Sequence, residues 1–225
     1  MEVTRQHRPS SPAVFGAVIL AAGASSRMGS FKPLLELGGR TVIERLIAAF
    51  RAGGVADPCV VVGTPPPAFT ALLNRLGTNQ VRNPHPSDGM YSSVRVGVAA
   101  LPGRVDAFFV HPADSALLCP ATLRILQGAF TPDTAVVHPT FNGRRGHPPL
   151  LAAHLRDAIL RFDGSDGLRG FLRTSEDRAR EVDCGDPAIH LDMDTPDDYR
   201  EARAMLERMR AGNASRFPGR NSSNS

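Results

Sequence analysis

The 225-residue sequence has few cysteines and no long apolar stretch. Its three cysteines, at positions 59, 119 and 184, are odd in number and far apart, which matches neither a disulfide framework nor a zinc site. We expect each to be a small buried side chain. No apolar run approaches the roughly 20 residues of a membrane span, and the first residues lack the apolar core of a signal peptide. These absences predict a cytoplasmic protein that does not associate with a membrane.

The sequence also lacks a basic segment of the kind that binds nucleic acid. Of the formal net charge of +4, residues 1–12 contribute +1 and residues 211–225 contribute +2, which leaves +1 for the rest of the chain. No segment of helical periodicity has a basic face, and no cations alternate with aromatic residues. Nucleic acid is therefore not an expected partner.

The composition predicts one folded domain with a tail at each end. A hydrophobic content of 42% and a charged content of 21% are those of an ordinary globular chain, and the length suffices for one buried core. The ends are rich in Pro, Ser, Asn and Arg without periodicity. We expect disordered tails at residues 1–12 and 212–225, and a single domain at residues 13–211.

Short apolar runs alternate along the chain with segments of helical periodicity. The sequence predicts buried strands at residues 14–20 and 59–63, and further strands at residues 80–82, 106–110, 135–138, 180–184 and 189–193. Asn142-Gly143 has the composition of a two-residue hairpin turn. This alternation predicts the α/β class, with a doubly wound, mostly parallel sheet and a small β-hairpin insertion.

The most informative stretch follows the first predicted strand. Residues 20–33 read LAAGASSRMGSFKP, which combines small residues, two glycines and two cations. Glycines let the backbone approach a ligand and expose N–H groups, which bind anions. Arg27 offers a planar fork of donors and Lys32 a mobile point charge, both suited to phosphate. Because ligands of open α/β sheets bind at the carboxyl ends of the strands, we predict a triphosphate site here.

Two common phosphate-binding loops do not match this stretch. A P-loop requires Lys directly after its second glycine, whereas Lys32 comes three residues after Gly29 and is followed by Pro33. The dinucleotide motif G-x-G-x-x-G fails because Ser25 stands two residues after Gly23. The alternative interpretation, a plain Gly/Ser connection, explains neither of the two cations.

Aspartates after two later strands are candidate ligands of a divalent cation. Asp114 follows the apolar strand at residues 106–110, and Mg²⁺ takes one or two carboxylates together with substrate phosphate oxygens. Strand alternation would place Asp192 and Asp194 on one side, and we favour Asp192 as the second ligand and Asp194 as part of the turn. The alternatives are that Asp114 caps a turn in solvent, and that the other two merely precede a helix, whose dipole stabilises carboxylates.

The run L-A-A-G-x-S-x-R-M-G-x-x-K-P-L resembles the signature of the MobA-like nucleotidyltransferases, and most closely that of molybdenum cofactor cytidylyltransferases. The resemblance extends over residues 15–206. It implies a Rossmann-like nucleotidyltransferase fold with Arg27, Lys32 and Asp114 as catalytic residues. The loop residues implied in nucleotide binding are Leu20, Ala21, Ala22, Gly23, Ser25, Ser26, Arg27, Met28, Gly29 and Lys32.

Three further motifs resemble those of the family. The motif N-P-x-x-x-x-G-M-x-x-S resembles the family's loop that contacts base and ribose. Its residues are Asn83, Gly89, Met90 and Ser93, which by sequence alone form only a loop before a helix. The sequence G-R-R-G-H-P resembles the acceptor loop: Arg144, Arg145, Gly146, His147 and Pro148. His147 fits a structural role equally well. Residues 191–196, LDMDTP, resemble the D-x-D-T-P-E-D motif, whereas Ala116 departs from the family's Asp-x-Pro at Asp114.

The resemblance implies a Mg²⁺-dependent transfer of CMP from CTP to a phosphate-bearing acceptor, with release of pyrophosphate. Ala21-Ala22 resembles the loop of CTP-using members, and with the acceptor motif it implies molybdopterin as acceptor and a molybdoenzyme or its chaperone as recipient of the product. A phosphate monoester is already anionic at neutral pH, so no general base is required. The alternatives are a transferase acting on a sugar 1-phosphate or another small phosphate ester, and a nucleotide-binding module without activity.

Overall fold

The computed structural model describes residues 12–23, 31–55 and 57–216, with side chains described to residue 211. Both predicted tails lie largely outside these ranges. The last helix continues to Arg216, beyond the predicted limit of the domain at residue 211. The domain limits therefore stay a prediction.

Eight strands of the described residues form one sheet. They are β1 (Phe15–Ala21), β2 (Cys59–Val62), β3 (Gln80–Arg82), β4 (Ala107–Pro112), β5 (Val136–Phe141), β6 (Arg144–Arg145), β7 (Leu150–Ala152) and β8 (Ala179–Asp183). The sheet order is β3-β2-β1-β4-β7-β5, and both β6 and β8 pair with β5. Strands β1 to β4 are mutually parallel, as are β5 and β8, whereas β6 and β7 run antiparallel to their neighbours. The mostly parallel sheet is confirmed.

Seven α-helices cover the two faces of this sheet, within the same described ranges. They are α1 (Val42–Ala52), α2 (Pro67–Arg75), α3 (Met90–Ala100), α4 (Pro120–Ala129), α5 (Arg156–Arg161), α6 (Gly167–Arg173) and α7 (Pro196–Arg216). Side chains of α1, α2, α4 and α7 share one core with Ile19 of β1, and those of α3, α5 and α6 share the other with Val18. Because neighbouring residues of a strand point to opposite faces, β1 is buried on both sides. The doubly wound α/β fold is confirmed.

Local sequence signals account for where several elements begin and turn. Thr41 and Glu44 form a capping box at the start of α1, in which the Thr41 backbone N–H donates to the Glu44 carboxylate at 2.8 Å. Asn142 and Gly143 both have positive φ, as a type I′ turn requires, and join β5 to β6. The hairpin turn that Asn142-Gly143 predicts is confirmed.

The strand predicted at residues 189–193 is wrong. The chain forms a 3-10 turn at Pro187–His190 and then an irregular segment that leads to α7. The Asp186 side chain accepts a hydrogen bond from the Ala188 N–H at 3.0 Å, and Pro187 fixes its own φ, so both favour a turn. The sequence interpretation also missed β7, which inserts between β4 and β5.

The strand order reverses at the boundary between β1 and β4. Leu20 is in register with Pro112, and the Ala113 N–H donates to the Leu20 carbonyl at 3.0 Å. The segments that follow these two strands therefore leave the same edge of the sheet side by side. Such a switch point is where open α/β sheets bind ligands. No helix of the described residues is long and apolar enough to cross a membrane.

Close packing of α3 on the sheet gives the first testable prediction. A Cβ at Gly97 would lie 2.2 Å from Val18 Cγ1 and 2.7 Å from Val61 Cγ2. We expect Gly97→Ala to lower the free energy of unfolding by about 1–3 kcal/mol in urea titrations, because the core must move to admit the methyl group.

Gly128 in α4 is the matched control, because a Cβ at this position would have no neighbour within 4 Å among the described residues. Gly128→Ala should leave the stability unchanged or raise it by up to about 1 kcal/mol, through helix propensity alone. Equal effects of the two substitutions would contradict the described packing of α3.

Candidate active site

A cleft of about 270 Å³ lies at the switch point between β1 and β4. It brings together the end of β1, the segment after Phe31, the start of α3 and the end of β4. The predicted site residues that line it are Leu20, Ala21, Ala22, Gly23, Lys32, Met90, Ser93 and Asp114. Segments that are far apart in sequence thus meet at one place.

Five loop residues that the sequence analysis singled out lie outside the described residues. They are Ser25, Ser26, Arg27, Met28 and Gly29. Their roles in nucleotide binding stay predictions. The described ends of this loop, at Gly23 and Lys32, both line the cleft.

Lys32 lies between two carboxylates of the cleft. It is the single lysine of the chain, which otherwise carries its positive charges on arginines. Its Nζ is 2.7 Å from Asp194 Oδ1 and 4.0 Å from Asp114 Oδ2, and its side chain is 13% exposed. The ammonium group therefore reaches the carboxyl end of β4, where a bound phosphate chain would need a cation.

Asp114 and Asp192 lie close together in spite of their like charges. The Ser115 hydroxyl donates a short hydrogen bond to Asp192 Oδ1, and the Met193 N–H donates to the Asp114 carbonyl at 3.0 Å. Burial raises the pKa of Asp114, and the neighbouring Asp192 raises it further, whereas Lys32 opposes both. Such a pair is stabilised by a cation.

The donor set suits a cation that also binds substrate. Within the described ranges, no group of three or more His, Cys, Asp or Glu side chains is arranged as a complete metal site. Mg²⁺ and Mn²⁺ accept oxygen ligands, and Mg²⁺ commonly uses one or two carboxylates plus phosphate oxygens. Asp114 and Asp192 fit this incomplete type of site.

Asp194 has a role that the sequence interpretation did not assign to it. The argument that strand alternation places Asp192 and Asp194 on one side is wrong, because no strand forms here. Asp194 pairs with Lys32, and its backbone N–H donates to Asp198 Oδ2 at 3.0 Å. Asp194 thus connects the start of α7 to the cleft, 162 residues from its lysine partner.

Asn83 supports the loop before α3 from the inside. It is 2% exposed, its amide donates to Ser92 Oγ at 2.8 Å and Ser93 Oγ at 2.9 Å, and its Oδ1 accepts from the His85 N–H. The Asn83 amide thus connects the loop, through His85, to the first turn of α3, and is placed to position Ser93. Gly89 begins α3 with a φ of 89°, and Met90 is 60% exposed at the cleft.

A second cavity of about 710 Å³ contains most of the predicted acceptor loop. Arg144, Arg145, Gly146 and His147 line one side, and Pro148 is buried beneath, joined to His147 by a cis peptide bond. The opposite side belongs to α6, which the sequence interpretation did not connect with the site: Leu168, Arg169, Leu172 and Arg173. Asp192 also lines this cavity, whereas its neighbour Asp114 lines the cleft, so the paired carboxylates lie between the two cavities.

Arg145 is already neutralised by carboxylates of its own chain. Its guanidinium binds Glu176 through both terminal nitrogens and Glu181 through Nε at 2.6 Å. These hydrogen bonds raise the pKa of Arg145. Arg144 is exposed and has no ion pair among the described residues, so it is the more available of the two cations.

Three buried imidazoles lie beneath and beside the second cavity. His111, His138 and His147 each keep one buried ring nitrogen without a hydrogen-bond partner among the described residues. Burial lowers the pKa of His111 to about 3 and that of His138 to about 4, and it also lowers the pKa of His147, against the raising effect of Asp192. All three are therefore neutral at pH 7. Sequence spacing gave no signal for this grouping.

Comparison with known proteins identifies the family. The model of the MobA-like NTP transferase domain matches residues 17–181, which is most of the chain. The chain belongs to the MobA-like NTP transferase family. The resemblance to the MobA-like family, stated from the sequence motifs, is confirmed.

The curated relatives of this chain differ in activity. The chain is 32% identical to the nicotine blue oxidoreductase of Paenarthrobacter nicotinovorans, covering 82% of this chain and 93% of the relative. It is 28% identical to the molybdenum cofactor guanylyltransferase of Rhizobium meliloti, covering 84% and 91%. It is 25% identical to the molybdenum cofactor cytidylyltransferase of Escherichia coli, covering 83% and 94%.

Solved structures agree with the fold. A nucleotidyl transferase from Methanothermobacter is 29% identical, with a TM-score of 0.74, and covers 87% of this chain and 99% of that chain. A Mycobacterium tuberculosis protein in complex with manganese is 25% identical, with a TM-score of 0.70, and covers 85% and 99%. The chain is thus a MobA-like protein related to molybdenum cofactor guanylyl- and cytidylyltransferases.

The buried imidazoles predict how the stability of this MobA-like protein depends on pH. An unfolded histidine has a pKa of about 6.5, whereas burial lowers the pKa of His111 to about 3. Between these values the unfolded chain binds more protons, so stability falls as the pH falls. His111 should account for about 2 kcal/mol of the loss between pH 7 and pH 5.

His111→Phe keeps an aromatic ring beside Phe50, whose centroid is 5.8 Å away, but removes the titrating group. The free energy of unfolding of the variant at pH 7 should be lower than that of the wild type. Between pH 7 and pH 5, the variant should lose about 2 kcal/mol less of this free energy than the wild type does. Urea titrations at the two pH values measure both. Parallel pH profiles of the two proteins would contradict the prediction.

Proposed function

We propose that this protein is a Mg²⁺-dependent nucleotidyltransferase that transfers CMP from CTP to a phosphate-bearing acceptor, with molybdopterin as the favoured acceptor. The observation that carries the proposal is the meeting of Lys32 with Asp114 and Asp192 at the carboxyl ends of β1 and β4. Ala21 and Ala22, at the end of β1 and in the cleft wall, support CTP through their resemblance to the loop of CTP-using members.

The reaction needs little from the protein beyond binding and charge. An acceptor phosphate oxygen forms a bond to the α-phosphorus, the bond from that phosphorus to the bridging oxygen breaks, and pyrophosphate leaves with the electron pair. The acceptor monoester has a second pKa of about 6 and needs no general base at neutral pH. Lys32, with the backbone N–H groups of the loop and Arg27, neutralises the phosphate chain.

Asp114 and Asp192 are the residues that would hold the cation. When bound, Mg²⁺ neutralises phosphate charge and orients the phosphate chain. Asp194 keeps Lys32 directed toward the cleft through their 2.7 Å contact. His147 and Arg144 would contact the acceptor from the second cavity, which Asp192 also lines.

An oxidoreductase is a second candidate, because the relative at 32% identity has that activity. The electrostatics of the cleft favour the transferase. Among the described residues, the three carboxylates of Asp114, Asp192 and Asp194 lie beside one ammonium group, that of Lys32. An anionic redox cofactor without a metal ion would be repelled there, whereas a triphosphate that brings Mg²⁺ would be attracted.

Pyrophosphate release tests the proposed function directly. The purified protein is incubated with Mg²⁺ and each of the four nucleoside triphosphates, without acceptor, with molybdopterin, or with glucose 1-phosphate. We expect release with CTP and molybdopterin together. Release with the sugar phosphate would identify another acceptor class, and CTP binding without turnover would identify a binding module. Redox turnover of nicotine blue, without release of pyrophosphate, would favour the oxidoreductase.

Substitution of the two charged groups in the cleft should abolish most of this turnover. Removing one preorganised electrostatic group typically costs about 10²–10³ in rate, and we expect kcat of Lys32→Ala and of Asp114→Asn to fall within or beyond that range. Asp133→Asn is the matched control, because its carboxylate is exposed in the turn before β5. Near-normal turnover by both cleft variants would refute the assignment.

The single lysine allows a test that does not depend on turnover. Sulfo-NHS acetate modifies amines, so Lys32 and the chain's N-terminal amine are the available targets. CTP with Mg²⁺ should slow the acetylation of Lys32 in proportion to the fraction of protein that has bound nucleotide. Mass spectrometry of the peptides measures the extent of acetylation at Lys32. The N-terminal amine is the internal control. An unchanged rate at Lys32 in protein that binds CTP would exclude its contact with the phosphates.

A further inference from the structure

Ser115 connects the two carboxylates of the candidate cation site. It follows Asp114 directly, is 2% exposed, and its hydroxyl donates the short hydrogen bond to Asp192 Oδ1. In the other direction, the Met193 N–H donates to the Asp114 carbonyl at 3.0 Å. Two neighbouring residues of one loop are therefore bound reciprocally to two neighbouring residues of another, 77 positions along the chain.

The Ser115 backbone is fixed independently of Asp192. Its N–H donates to the Pro112 carbonyl at 3.3 Å, and its carbonyl pairs with His111 Nε2 at 2.8 Å. Because a carbonyl oxygen can only accept, Nε2 is the donor in this contact. The serine hydroxyl thus stands on a turn that is anchored to the end of β4.

Among the described residues, no group of the segment around Asp192 donates a hydrogen bond to the Asp192 carboxylate. The 3-10 turn ends at His190, and the chain from Leu191 to α7 has no regular structure. Asp192 is exposed to solvent, and the Asp114 carboxylate repels the Asp192 carboxylate. Without another contact, repulsion between the carboxylates would turn the Asp192 side chain away from Asp114.

We infer that Ser115 is a positioning residue that holds Asp192 toward Asp114, so that the cation site requires both carboxylates and this hydroxyl. The inference rests on the proposed function, because it assigns the pair to a divalent cation. The hydroxyl acts through Asp192 and touches neither cation nor substrate. A hydrogen bond that serves only to close the loop would affect stability but not cation affinity.

Manganese binding measured by electron paramagnetic resonance separates these two roles. Free Mn²⁺ is titrated into CTP-loaded wild type, Ser115→Ala, Asp192→Asn and the double variant. Loss of a residue that orients a metal ligand typically costs 10–100-fold in affinity. We expect that loss in Ser115→Ala, with CTP binding in the absence of metal unchanged. The double variant should bind Mn²⁺ no more weakly than Asp192→Asn alone, since both substitutions act on one interaction.

Two further variants control for packing. Ser175→Ala removes a hydroxyl of similar burial, 4% exposed, outside both cavities, and should bind Mn²⁺ as the wild type does. Ser115→Thr retains the hydroxyl and should bind Mn²⁺ more tightly than Ser115→Ala. If Ser115→Ala does not fold, Ser115→Cys takes its place, because a thiol is of similar size but a weak hydrogen-bond donor.

The outcomes distinguish this inference from the proposed function. Mn²⁺ affinity of Ser115→Ala within about twofold of wild type, or effects that multiply in the double variant, would overturn the inference and leave the transferase intact. Wild-type protein that binds CTP but no Mn²⁺ would overturn both. In that case, urea unfolding of the metal-free variants would show whether a structural contact between Ser115 and Asp192 remains.

Discussion

Repulsion between carboxylates at the switch point is the constraint on which the site depends. Asp114, Asp192 and Asp194 converge on a cleft that holds one ammonium group, that of Lys32. Lys32 compensates part of this charge through its 2.7 Å contact with Asp194, and the rest is suited to a divalent cation. The fold must therefore hold these groups together with contacts that do not depend on their charges.

The sheet supplies that support because β1 and β4 are rigidly paired and buried. Their register places Leu20 opposite Pro112, and both faces of β1 are covered by helices. A dense core keeps its shape under local electrostatic strain, since its side chains have few alternative packings. The same frame serves transferases and an oxidoreductase among the relatives, so chemistry in this family follows from the residues at the strand ends and not from the frame.

Local patterns were sufficient for most elements of the fold, β7 excepted, and for Lys32 and Asp114, the two charged residues that meet in the cleft. The capping box at Thr41, the turn at Asn142 and the apolar runs of the parallel strands are short-range signals, and the structure confirms them. The contacts of Asp194 and Ser115 join residues 162 and 77 positions apart, and no local pattern encodes such pairs. The false strand at residues 189–193 arose where apolar alternation competed with the turn preference of Pro187, and the turn prevailed.

The predicted acceptor loop presents less positive charge than its sequence suggests. Two adjacent arginines followed by a histidine resemble a strongly cationic site, but Glu176 and Glu181 neutralise Arg145, and burial keeps His147 neutral at pH 7. On the proposed function, the second cavity would therefore select an acceptor mainly by shape, with Arg144 as its more available cation. Charge neutralisation is concentrated at the cleft instead, where the bond to phosphorus would form. On the proposed function, the second cavity would bind the neutral part of the acceptor, and the groups around Asp114 would promote its reaction.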